Sequence, residues 1–522
     1  GISFDDKSSL PLLHLPYATY RAESYHESKD YYRFKNIRFA APPTGGNRWK
    51  KPQSPPSMTE IQDGSVGWAC HQAETSKRTQ PTSEDCLFLD MYVPGKAIRG
   101  EVKDLPVLDW IYSGGYVFGS KDFVLYDSGM YVEIADNNLI YVSANHRMGA
   151  FGFLTGPTVE AEATSNVGFH DQRAALQWVQ DYVHLVGGNK NEVTAWGLSS
   201  GGGSIMHHLI AKHGKSDPLF HRAILNSPAY VPVYDKDMME TSFQTFASLL
   251  GCSGSGSGKG IACLRNISEA ALQNASAYTS INAPSGHFGF GPGIDNEYIL
   301  DLPANELRKG NYWHNLQSVM VSHGTHEGND FTNKSDTTLL DFDTLVNTSF
   351  PNMTAATRAE LYTLYPDADG EIDRIESLIS RYAVTCNTRW LAEAYAGRTW
   401  GYRPSVYPGV HGEDSFWNWW RADLTLGPSF DEITLDLDLD DDKHDQFGVA
   451  NTIQGFIASF ARSGSPNNFL GNDSDVTRMP QTVLGDKGLN LLDLGIFEKQ
   501  VVDDEDTIKG ECDWWQSSAW TG

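Results

Sequence analysis

The stretch Val193-Thr194-Ala195-Trp196-Gly197-Leu198-Ser199-Ser200-Gly201, read with the residues from Gly202 through His213, decides the fold. Val193–Trp196 is strand-like, and the residues after Gly201 are helix-like. Between them, Gly-x-Ser-x-Gly fits a sharp strand-to-helix turn that lifts a serine hydroxyl above the edge of a sheet. Gly197 and Gly201 suit such a turn because side chains there would collide with the neighbouring strand and helix. An ordinary Gly-rich turn is the competing reading, and the strand–turn–helix setting disfavours it. Ser199, centred between the glycines, is the expected nucleophile, and the adjacent Ser200 is not.

Working outward, apolar runs alternate with helical patterns. Leu105–Leu108 with Trp110-Ile111 and then Leu139–Val142 read as strands, and Arg173–Val179 reads as a helix. Strands separated by helices predict an α/β fold with a mostly parallel central sheet flanked by helices. At 522 residues the chain can bury a large core, and it carries no internal repeat and no long linker. The expectation is one large domain spanning 1–522, with helical insertions.

Charge and composition exclude several function classes. Asp and Glu outnumber Lys and Arg 66 to 40, a net charge of −26 that repels phosphate backbones and anionic lipid. Nucleic acid and membrane surfaces are therefore not expected partners. No apolar run approaches the roughly 18 residues of a membrane span. The 6 cysteines are Cys70, Cys86, Cys252, Cys263, Cys386 and Cys512, without C-x-x-C spacing, which favours disulfides over a metal or redox site. Glycosylation sequons begin at Asn266, Asn274, Asn333, Asn347, Asn352 and Asn472. Together with the even cysteine count and a start on Gly1 that fits a removed leader, they predict a secreted, extracellular protein.

Two stretches imitate known sites and fail on spacing. Gly251–Gly260 contains Gly258-Lys259, but Ser253 stands where a phosphate-binding loop needs its first Gly and Gly260 where it needs Ser or Thr. A flexible loop closed by Cys252 and Cys263 is the better reading. In the acidic run Asp431–Asp445, Asp441 occupies the Gly position of a calcium loop and Phe447 the Glu position, leaving a solvated surface loop.

A serine nucleophile needs a base, an acid that orients it and a cradle for the oxyanion. Trp110-Ile111-Tyr112-Ser113-Gly114-Gly115-Tyr116 is an apolar strand opening into a Gly-rich turn whose backbone N–H groups can face a ligand. Several further blocks resemble the type-B carboxylesterases, which include cholinesterases and related fungal lipases and esterases. These are Phe34–Gly45 closed by Arg48, Ser83–Leu89, Asn145–Arg147, Gly152–Leu154, Asn166–Gln172, Gly187-Gly188, Leu225–Ser227 and Gly464–Asn467. The resemblance runs from about Arg33 to Cys512 and implies an α/β-hydrolase fold and hydrolysis of a small-molecule carboxylic ester.

It further implies Glu327 as the acid, within Ser322–Gly328, although the register of the first Gly leaves Asp330 as a rival. His411, within Gly409–Asp414, is implied as the base, with His444 the nearby competitor among 16 histidines. Gly114, Gly115 and Ser200 are implied oxyanion donors. The order Ser, Glu, His is that of α/β-hydrolases. Neither metal nor cofactor is required, and the glycines around His323, His326 and Glu327 speak against a metal-ligating helix. Sequence proximity suggests Cys70–Cys86 and Cys252–Cys263. The remaining pair and the resemblance together suggest Cys386–Cys512.

Three residues depart from the family pattern. Leu198 stands where many members carry Glu, Ser113 where the first Gly of the oxyanion turn belongs, and Ser200 where Ala is usual. The segment His71–Asp85, which in lipases of this family is a long amphipathic lid, is polar and lacks the aromatic residue that binds choline in cholinesterases. These features predict an esterase for short to medium acyl chains, without interfacial activation or choline specificity. Competing expectations are a lipase, a cholinesterase, an aromatic-acid (feruloyl or chlorogenate) esterase, or a non-catalytic binding protein that has lost the triad. Phe416, Trp417, Trp419 and Trp420 either line a pocket or pack in the core.

Overall fold

The computed structural model describes residues 1–73, 81–123, 125–126, 129–284, 286–331, 341–421 and 443–522, with the side chains of 443–447 set aside. Asn333, residues 431–442 of the acidic run and the side chain of the rival base His444 thus lie outside the described residues. A small antiparallel sheet comes first: β1 (Ile2–Asp5), β2 (Ser8–His14) and β3 (Thr19–Arg21). Among the described residues the main sheet has twelve strands: β4 (Ser24–His26), β5 (Tyr31–Arg38), β6 (Phe88–Pro94), β7 (Leu105–Ile111), β8 (Ile140–Ala144), β9 (Gly188–Leu198), β10 (Arg222–Asn226), β11 (Ser318–Ser322), β12 (Thr399–Pro404), β13 (Val483–Gly485), β14 (Gly488–Leu494) and β15 (Lys499–Asp503).

From β8 through β7, β9, β10, β11 and β12 to β14, neighbouring strands run parallel, and the flanks are antiparallel. The fold is that of an α/β-hydrolase, a large mixed sheet flanked by helices. Parallel strands covered on both faces must be apolar along their length. β8, β10 and β11 are accordingly buried at every residue. β9 is longer than the strand-like Val193–Trp196 because its polar first half, Asn189–Glu192, extends toward solvent. The helix after the nucleophile starts at Ser200, earlier than the pattern suggests. It leaves helical geometry at Ala211–His213, where His213 Nδ1 meets the buried Glu306 carboxylate at 2.7 Å.

Packing gives physical reasons for several sequence landmarks. Arg48 pairs with Glu84 at 2.6 Å in the interior while its Nη1 donates to the carbonyls of Leu264 and Ile267. Arg147 forks onto both oxygens of the buried Asp171, and its backbone N–H adds a third bond. Buried charges of this kind persist only when paired and hydrogen-bonded, so each block needs its distant partner. Trp417 and Trp419 lie in the core. The Trp419 ring stacks on Trp196 at 5.2 Å and meets Trp110 at 5.5 Å. The three disulfides are Cys70–Cys86, Cys252–Cys263 and Cys386–Cys512, as expected.

Candidate active site

The turn at Ser199 is built by close packing around two glycines. A Cβ at Gly197 would lie 2.3 Å from the Gly201 carbonyl carbon, and one at Gly201 would lie 2.1 Å from the Ile111 oxygen. Ser199 itself takes φ 56°, ψ −117°, a strained conformation for a residue with a side chain. Surrounding bonds hold it there: its N–H donates to Asn226 and its carbonyl accepts from Gly203 and Ala229. The hydroxyl is thereby set at the carboxyl end of β9, in the centre of the parallel block.

Two loops from neighbouring strands bring the other groups. The loop after β11 carries Glu327, and the segment after β12 carries His411. His326 N donates to the Gly409 carbonyl at 2.8 Å, tying the two segments together. Ser199 Oγ lies 2.6 Å from His411 Nε2, and His411 Nδ1 lies 2.5 Å from Glu327 Oε2. Asp330, in the short turn Asn329–Phe331, adds its charge to the field at His411, but Nδ1 is turned to Glu327.

The electrostatics follow from this arrangement. Burial works against charge on both groups, yet the Glu327 carboxylate raises the His411 imidazole above its ordinary range. Burial likewise opposes charge on Glu327, but His411, the Ser227 hydroxyl and the Gly324 N–H hold its carboxyl below the usual range. Ser227 Oγ and Gly324 N each donate to Glu327 Oε1 at 2.5 Å. Ser227 also lies 3.2 Å from Asp414 Oδ2. Sequence reading marks Ser227 only as a landmark and assigns Asp414 nothing. The available signal is that Asn226-Ser227 closes the strand adjacent to the one bearing Ser199.

The Gly turn lies beside Ser199. Gly114 has φ 133° and Gly115 has φ 63°, both in the left-handed range. The Gly114 carbonyl accepts from Val117 and Phe118 and so closes the turn. Gly115 and Ser200 line one cavity with Ser199 and His411. That cavity, about 460 Å³, is walled by Phe153, Met239, Phe243, Phe288 and Phe331 among others, and among the described residues no Asp, Glu, Lys or Arg lines it. Leu198 is buried away from it, and Trp68, just outside the loop closed by Cys70 and Cys86, packs on Phe88. The start of the first disulfide loop is pinned to the Gly turn: Gly119 N donates to Gln72 Oε1, and Ala73 N donates to Val117. Residues 74–80 of that loop are outside the described residues.

The histidines weighed as metal ligands point to separate partners, His323 to Asp504 and His326 to Glu376. His323, Asp504 and Asp506 do cluster in the interior. However, both His323 ring nitrogens are engaged, by the Gly324 carbonyl and by Asp504. Arg403 pairs with Asp504 and Arg381 with Asp506, so the cluster is an ion-pair network.

The carboxylesterase family pattern matches residues 11–505. The chain belongs to the carboxylesterase family. It is 33% identical to a secreted lipase of Arthroderma benhamiae, over 98% of this chain and 93% of that protein. It is 29% identical to carboxylesterase patB of Aspergillus clavatus, over 98% of this chain and 96% of that one. Among solved structures, EstA of Aspergillus niger superposes with a TM-score of 0.82 over 98% of this chain and 99% of that one, at 23% identity. As a carboxylesterase, the protein is a hydrolase of carboxylic esters, and a small-molecule ester is its substrate.

Proposed function

We propose that the carboxylesterase acts through a Ser199–His411–Glu327 triad and an acyl-enzyme, on neutral esters with short to medium apolar acyl chains, outside the cell. The observation that carries the triad is the continuous contact from Ser199 Oγ to His411 Nε2, 2.6 Å, and from Nδ1 to Glu327 Oε2, 2.5 Å. In this reading His411 takes the Ser199 proton as Oγ attacks the ester carbonyl, then gives it to the leaving alcohol. Glu327 holds the tautomer and balances the imidazolium. The N–H groups of Gly114, Gly115 and Ser200 receive the oxyanion, and water repeats the cycle to release the acid.

The substrate reading rests on the cavity wall, which among the described residues offers a choline cation no carboxylate, with the buried Leu198 standing where many members carry Glu. The pinned start of the polar loop after Cys70 favours a site without a lid that opens onto lipid. A long-chain lipase is the second reading, favoured by the cavity's size and apolar wall and by the relative named a secreted lipase. Secretion is supported by the three disulfides and by the exposure of Asn266, Asn274, Asn347, Asn352 and Asn472.

The test measures rates on p-nitrophenyl esters from acetate to palmitate, on emulsified triolein and on acetylthiocholine. Highest kcat/KM on chains up to about the middle of the series is expected, with little turnover of the other two. Faster hydrolysis of long chains with a jump above substrate solubility would establish the lipase reading. A preference for acetylthiocholine would remove the neutral-ester assignment.

A further inference from the structure

We infer that Asp414 is a neutral carboxylic acid that orients Ser227, and through it Glu327, as a positioning residue two hydrogen bonds behind the triad acid. The inference rests on the triad reading above and follows from counting protons. The Ser227 hydroxyl lies 2.5 Å from Glu327 Oε1 and 3.2 Å from Asp414 Oδ2. It has one proton to give. Glu327 faces the imidazole with its other oxygen and is the carboxylate held ionised, so the hydroxyl proton belongs to Oε1. The contact with Asp414 is then attractive only if Asp414 supplies the second proton, with its carboxyl O–H donating to the free lone pair of Ser227. An ionised Asp414 would instead set two carboxylates around one hydroxyl proton.

Burial agrees. Asp414 is 4% exposed, and its Oδ1 has no hydrogen-bond partner, an arrangement costly for a carboxylate and tolerable for a neutral acid. The charged and titratable groups acting on it are Glu327 and His323 from the acid loop, with His411 and Glu413 from its own segment. Tyr402 of β12 is the further titratable neighbour. Burial, followed by the Glu327 charge, pushes Asp414 up to about 7. Below that pH the acid donates and the Ser227 proton points at Glu327. Above it, a second negative charge competes for that proton and overstabilises the imidazolium, so His411 becomes a poorer acid toward the leaving alcohol.

Asp414→Asn keeps a donor, the amide NH₂, and cannot ionise. Asp414→Ala removes the donor. The expected result is kcat about tenfold lower in Asp414→Ala than in Asp414→Asn, the size of one positioning hydrogen bond, with KM alike in both. The alkaline fall of kcat in the unmodified enzyme, centred near the Asp414 titration, should be missing from Asp414→Asn. Independently of activity, the infrared protonated-carboxyl C=O absorption at pH 6 should be weaker in Asp414→Asn by one band, leaving those of Asp109 and Glu413, which burial pushes up to about 8. That one band should be lost from the unmodified protein on titration through about 7. Equal kcat in the Asn and Ala variants, an unchanged alkaline limb in Asp414→Asn, or identical infrared spectra at pH 6 would each overturn the inference. Ser199→Ala run alongside separates the two readings: full activity there overturns the triad, whereas an inactive Ser199→Ala with indistinguishable Asp414 variants overturns only the role of Asp414.

Discussion

Glu327 Oε2 meets His411 Nδ1 at 2.5 Å, leaving the opposite ring nitrogen, Nε2, facing the Ser199 hydroxyl. The carboxylate therefore fixes which nitrogen carries the proton, and it raises the imidazole above its free range of about 6.5. His411 must be unprotonated to act as a base, so kcat/KM is expected to rise with pH through an apparent pKa above that value. Replacing Ser199 or His411 by Ala should cost on the order of 10⁴-fold or more. Glu327→Ala should also be severely impaired. Ser200→Ala should retain most activity, since only its backbone N–H is asked to act. Full turnover by folded Ser199→Ala would show that another residue attacks.

The Gly turn offers a separate test of oxyanion binding. A Cβ on Gly114 would fall 1.7 Å from the Phe118 carbonyl oxygen, against backbone that cannot yield. At Gly115 it would meet the Phe288 ring at 2.8 Å, a side chain that can shift. Gly115→Ala should thus fold, and, because a side chain is strained at φ 63° and crowds Phe288, shift its own N–H and lose kcat, by up to roughly 10²–10³-fold if that donor is displaced from the oxyanion. Gly114→Ala should damage the turn itself and lower the melting temperature as well. A Gly115→Ala enzyme with normal kcat would remove the turn from the mechanism.

His323 predicts an alkaline loss of stability. Burial opposes its charge, but Asp504 outweighs burial and raises the imidazole to about 9. A folded pKa above the unfolded value of about 6.5 means the contribution is full below that pH and fades as pH rises through 9. Melting temperature should fall between pH 7 and 10 more steeply in the unmodified protein than in His323→Gln, which is less stable at neutral pH. Parallel curves for the two proteins would assign the decline to other groups.

The bond between Cys386 and Cys512 closes a loop with a sequence separation of 126. In the chain-entropy model, removing it should cost about 4–5 kcal/mol, more than opening the Cys252–Cys263 loop of separation 11. Paired Cys→Ser variants compared by thermal and denaturant unfolding measure the difference. If the short loop proved the more stabilising, strain or residual structure would have to outweigh loop entropy.

What the sequence revealed depended on how local each cause was. The turn at Ser199 was legible because Gly197 and Gly201 are demanded by atoms a few residues away, on β9 and the following helix, and by β7 alongside. Gly114 and Gly115 were legible for the same reason. Glu327 and His411 are joined across 84 residues, and only family resemblance could choose them over Asp330 and His444. Ser227 and Asp414 lie 187 residues apart, and no spacing rule links a serine at a strand end to a carboxyl just after a histidine. The aromatics after His411 show the converse limit. Composition cannot tell a pocket wall from a core, and only burial and the packing of Trp419 on Trp196 and Trp110 placed Trp417 and Trp419 in the core, with Phe416 and Trp420 half-buried.

Ser199 and His411 stand 212 residues apart in the chain, and β12, which leads to His411, is lodged between β11 and the late strand β14. At roughly 5–20 residues per second, a ribosome delivers the histidine about 10–40 s after the serine. Throughout that interval the growing polypeptide holds a hydroxyl without its base, even if the strand and helix around Ser199 have already formed. On the proposed triad, esterase activity is thus withheld until residue 411 has been translated, and a product of termination before that point would be chemically silent toward the esters around it.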